Sequence, residues 1–147
     1  MLSTPTRILA VAAASGISLF LVVSSVNAQD DVPNLVGAWK GEAIGGALFG
    51  QLLHDQPTTE LQFKDRSMPW TLTISEQDGR GLIGTWSSPN GSERLAGVVS
   101  ADNVTVYFVD EDTHFTGRLA SDSRMELCAQ ESGGGSMVAA CYLIDKQ

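Results

Sequence analysis

From Trp70 onward the chain alternates bulky apolar residues with polar or small ones. Trp70-Thr71-Leu72-Thr73-Ile74, Val104-Thr105-Val106-Tyr107-Phe108 and Met125-Glu126-Leu127-Cys128-Ala129 each keep one apolar face. A period of two over such lengths marks β-strands with one buried side. Turn clusters separate the runs: Gln77-Asp78-Gly79, Ser88-Pro89-Asn90-Gly91, Ala101-Asp102-Asn103, Asp110-Glu111-Asp112, Ser121-Asp122-Ser123 and the glycine run from Gly133. Asp-Gly and Asn-Gly supply the positive φ that hairpin turns demand. The pattern predicts eight strands, at 35–42, 69–76, 81–87, 93–99, 103–109, 113–119, 124–131 and 137–144. Short links through the last seven make an antiparallel meander, and no segment beyond the N-terminal apolar run reads as a long helix.

A second pattern lies inside these strands. Leu35-x-Gly37-x-Trp39 returns as Leu82-x-Gly84-x-Trp86, Leu95-x-Gly97-x-Val99 and Phe115-x-Gly117-x-Leu119. Alternate residues share a face, so each glycine points the same way as its bulky neighbours. Small and large positions interleaved on one face suit the interior of a small closed barrel. The fold expected is all-β: an eight-stranded antiparallel up-and-down barrel with one long loop between strands 1 and 2. Its inner face, from Trp39 through Trp70 and Trp86 to Tyr142, carries no charge. An eight-strand interior is filled by side chains or holds one small ligand, and three tryptophans favour filling.

An early Gly37-x-Trp39 followed by a meander resembles the calycin group, in which avidin-like and lipocalin-like barrels carry a Gly-x-Trp on the first strand. The resemblance implies a barrel with a ligand-binding habit. It names no ligand, because the lipocalin Thr-Asp-Tyr segment and the polar and aromatic set that holds biotin in avidins have no counterpart here.

Residues 43–68 are the expected long loop. They contain "GEAIGGALFGQLLHD" from Gly41 to Asp55 almost whole. Gly45 and Gly50 have the first spacing of a phosphate-binding loop, but Gln51 stands where its lysine belongs. Gly41-x3-Gly45 and Gly46-x3-Gly50 match a membrane-helix packing pattern, which Glu42, Gln51 and His54 interrupt. Ile44, Leu48, Phe49, Leu52 and Leu53 are too many hydrophobes for a disordered linker. A short helix near 46–54, folded over a barrel mouth, accounts for them, either as a plug or as a binding lip. Loops this long tend to be functional, so Trp39, Phe49, Leu52, His54, Trp70 and Trp86 are the candidate ligand-binding residues.

Arg7, the apolar run from Ile8 to Val26 and the Val26-Asn27-Ala28 site read as a secretory signal peptide over residues 1–28, with an uncleaved anchor as the alternative. Residues 29–147 are then one domain in the periplasm or outside the cell. Losing Arg7 with the leader leaves 8 basic against 17 acidic residues. Such a surface repels phosphates and anionic headgroups, so nucleic acid and, after cleavage, membrane are poor partners. Two cysteines in an exported chain read as one disulfide. A hairpin centred on Gly134 and Gly135 places Cys128 opposite Cys141, within bridging distance.

Catalytic chemistry finds little footing. His54, Asp55 and His114 have no recognised metal-ligand spacing, and no G-x-S-x-G elbow surrounds a serine. The sequence implies no catalytic residue, metal or cofactor. The function expected is an exported, non-enzymatic binding module for a small apolar ligand or a protein. The first alternative is an inhibitor of an extracytoplasmic hydrolase such as a lysozyme or protease. A barrel cyclase or isomerase using His54 and Asp55 comes third.

Overall fold

The computed structural model describes residues 31–147; the expected signal peptide lies outside the described residues. Nine strands follow one another: β1 (Gly37–Gly50), β2 (Thr58–Phe63), β3 (Pro69–Asp78), β4 (Gly81–Ser88), β5 (Gly91–Val99), β6 (Thr105–Val109), β7 (Thr113–Ser121), β8 (Arg124–Gly133) and β9 (Ser136–Lys146). Each of β3 to β8 pairs antiparallel with the next, and β1 pairs with both β3 and β9, closing an eight-stranded barrel. β2 is a ninth strand outside the ring, paired with β1 alone. The described residues contain no helix.

The seven strands from β3 onward begin and end within two residues of the alternation pattern. The segment after residue 42 does not follow expectation: instead of a loop or short helix, β1 runs on to Gly50. The reason is the opposite edge. β9 pairs with β1 along its whole upper half, through Ala47↔Ala139 and Phe49↔Met137. A helix there would leave those β9 amides and carbonyls unpaired and the barrel open. The glycines serve this closure, since a Cβ at Gly46 would stand 2.6 Å from the Cβ of Ala140. β3 begins only at Pro69, opposite Glu42, so above that point β2 takes its place beside β1.

Inside, the expected face is the observed one. Trp39, Leu72, Val106, Met125, Leu127 and Ile144 are wholly buried, and Trp70, Trp86 and Tyr142 nearly so. The glycine-large pattern is a packing device: a Cβ on Gly97 would lie 2.3 Å from Phe108 Cδ1. Cys128 and Cys141 are ladder partners with Cα atoms 4.0 Å apart, joined by the expected disulfide.

Both barrel ends are closed. At the lower end Leu35, just before β1, is wholly buried, and its carbonyl accepts a 2.9 Å hydrogen bond from Trp39 Nε1. Its amide donates to Gln77 Oε1 at 2.9 Å, and Lys146 Nζ donates to Asn34 O at 2.8 Å. At the upper end, the mouth, residues 51–68 form a strap that includes β2.

Candidate functional site

The strap turns two kinds of side chain into the mouth. Leu52 is 6% exposed and seals the apolar interior. Beside it come three polar groups: His54, Asp55 and Lys64. His54 is buried with both ring nitrogens engaged, Nδ1 at 2.9 Å from Ser88 Oγ and Nε2 at 3.0 Å from Glu93 Oε2. Its carbonyl accepts from Asn90 Nδ2 at 2.7 Å, which ties the strap to the β4–β5 turn. The Lys64 ammonium pairs with Asp55 Oδ2, and their side chains are only 1% and 9% exposed.

Below these groups lies an aromatic floor. The rings of Trp70 and Trp86 stack at 4.9 Å with an 18° tilt, and Tyr142 stands 5.0 Å from each. Phe115 meets Trp86 edge-on at 5.6 Å. Lys64 Nζ sits 4.5 Å from the Trp70 ring centroid, and His54 meets the same ring at 5.0 Å. An ammonium over an indole face is attracted by the ring quadrupole, most strongly where water is excluded. The Trp70 indole N–H is buried without a hydrogen-bond partner. Between strap and floor remains a cavity of about 20 Å³, lined by Leu52, His54, Asp55, Lys64 and the aromatic floor together with Glu93 and Glu131. That volume admits one water.

Carboxylates crowd the rim. Glu93 follows the inner-face parity of β5, opposite Trp86, and Glu131 that of β8, opposite Val138. Oxygens of Glu93, Asp110 and Asp112 lie within 4.8 Å of one another. Asp110 Oδ1 accepts the amides of Asp112 and Thr113, and its Oδ2 is buried without a partner. Burial, reinforced by Asp110, raises the Glu93 carboxyl above its ordinary pKa against the pull of His54. Burial, with Asp112 and the other nearby acids, pushes Glu131 up to about 7. Burial lowers the Lys64 ammonium despite Asp55, and raises the Tyr142 phenol together with Asp55 and Glu131.

Four of the six candidate residues, Leu52, His54, Trp70 and Trp86, line this one cavity. Trp39 lies at the opposite end beside Leu35. Phe49 shares the outer face of β1 with its ladder partner Met137, turned away from buried Leu48. His114 is exposed on β7, apart from His54. Lys64, Glu93 and Glu131 were not singled out from the sequence. Strand parity carried a signal for the two glutamates, since each extends an apolar inner face by one more step: Glu93 before Leu95, Glu131 after Ala129. Lys64 carried none, because a lysine in a loop reads as solvated.

Comparison with protein-family models, with curated proteins and with solved structures returns no match.

Proposed function

We propose that the protein is an exported, non-enzymatic binding module whose partner is another protein, met at the mouth and strap, and not an apolar molecule carried inside the barrel. The observation that carries this reading is the filled interior: under the strap only about 20 Å³ remains, against the several hundred that a drug-sized ligand occupies. The architecture agrees with the calycin resemblance, but among the described residues the space under the strap is too small for a ligand chamber. The strap also presents apolar groups outward, Leu61 at 71% and Phe63 at 93% exposure, as protein contacts do. Export fits the Cys128–Cys141 disulfide. A non-enzymatic role fits His54, whose two ring nitrogens are already spent on Ser88 and Glu93.

Native mass spectrometry of protein taken from its own compartment tests the choice of partner. The mass expected is that of the bare chain; a small molecule retained in repeated preparations would overturn the reading. The acidic rim favours one particular class of partner, a basic extracytoplasmic hydrolase that the protein inhibits. Such binding weakens steeply with salt. Lysozymes and secreted proteases whose activity is unchanged by the protein at low ionic strength would remove this second reading.

A further inference from the structure

We propose that the mouth is a binding site for an alkylammonium group, and that Lys64 occupies it as a tethered stand-in. This names the chemistry of the end that the preceding reading makes the binding end. It is tested without any partner, so either can fail alone.

Three observations carry it. First, the Lys64 ammonium has what a recognised organic cation requires: the face of Trp70 at 4.5 Å, the Asp55 carboxylate and exclusion from water. Second, the site holds more than one lysine needs. Glu93 and Glu131 line the same cavity as Asp55, against Lys64 and His54 as the basic groups in that lining. Unfilled space remains in the same cavity.

Third, the occupant arrives on a weakly attached element. β2 pairs on one side only, at three positions interrupted by a register shift between Leu48 and Gly50. Its apolar side chains Leu61 and Phe63 are exposed and bury little. Elements with few buried contacts open at small cost. When β2 lifts with Lys64, His54 keeps the neighbouring Asp55 at the mouth through Ser88, Glu93 and Asn90, and Trp70, Asp55 and Glu131 are left for another ammonium, which therefore competes with Lys64. A free amine and a lysine side chain on a protein surface share this chemistry.

The test titrates the wild-type chain and Lys64→Ala with n-butylammonium chloride, with sodium chloride at equal ionic strength and n-butanol as controls. Binding is read from the indole N–H resonance of Trp70 and from amide exchange across 51–68. The wild type is expected to show saturable shifts with the ammonium alone, accompanied by faster exchange in the strap. Lys64→Ala, freed of the tethered competitor, is expected to bind at least about tenfold more tightly. Asp55→Asn in that background should weaken binding again. An unresponsive wild type overturns the proposal, even if Lys64→Ala fails to fold, and so does an equal response to n-butanol. A lysine-centred peptide and its Nε-acetylated twin separate the sources. Tighter binding of the unmodified peptide than of n-butylammonium points to a protein's lysine, and weaker binding to a free amine.

Discussion

The two ends of this barrel are closed differently: each sets a lysine by a tryptophan ring, but Lys146 by Trp39 is only half-buried, whereas Lys64 by Trp70 is buried against Asp55. Below, Leu35 enters as an apolar plug over Trp39, and its backbone is satisfied by Gln77 and by the Trp39 indole. Above, the strap enters with a lysine, a histidine and an aspartate, held over tryptophans by the Lys64–Asp55 ion pair and by hydrogen bonds. A plug made only for stability resembles the lower one, because burying paired charges gains little over burying hydrocarbon. The polar closure of the mouth is therefore the part of the molecule whose design stability alone does not explain, and it is the end at which we propose that binding occurs.

Three substitutions sharpen the contrast, in order of expected effect. Leu35→Ala removes a wholly buried side chain from a packed end. It should cost about 3 to 4 kcal/mol in chemical denaturation, with little dependence on salt or pH. A cost below about 1 kcal/mol would mean the lower end collapses around the vacancy and is no rigid plug.

At the mouth, Lys64→Ala leaves Asp55 buried without its cation and should cost about 3 kcal/mol. The double replacement Lys64→Met with Asp55→Leu should recover most of that loss. A double variant as unstable as the single one would show that the ion pair is needed for the fold itself, and the contrast between the ends would fade.

The smallest effect belongs to Glu131. Its folded pKa of about 7 lies above its ordinary 4.5, so the folded chain holds a proton that the unfolded chain releases first. The stability linked to that proton is fully present below pH 4.5 and is lost as pH rises through about 7. Glu131→Gln removes the dependence. Its stability should match the wild type at pH 4 and exceed it by on the order of 1 kcal/mol at pH 8, a figure reduced for solvent screening of a half-buried group. Parallel stability curves for the two proteins across this range would show that Glu131 ionises freely and that the rim is not crowded.

The barrel wall was legible because strand parity is local: each inner residue is announced by its neighbours two positions away. The disulfide was legible for the same reason, since the turn at Gly134 and Gly135 fixes the register that sets Cys128 against Cys141. Residues 43–50 were misleading because their glycines and short apolar run satisfy turn, helix and strand grammars alike. What chose strand was the free edge of β9, far away in sequence. Glu93 and Glu131 were half legible, in phase with the inner face but contrary to its polarity.

By itself, the sequence determined the period-two wall, its turns, its apolar lining and its cysteine pair, because these depend on residues that are neighbours along the chain. Tertiary structure alone decided that β1 runs on to meet β9, that the space under the strap admits only a water, and that Lys64 points inward. The first follows from the free edge of β9, and the other two from where the strap lands after crossing the mouth. A lysine becomes buried only when an aspartate and an indole from other parts of the chain have been brought to meet it.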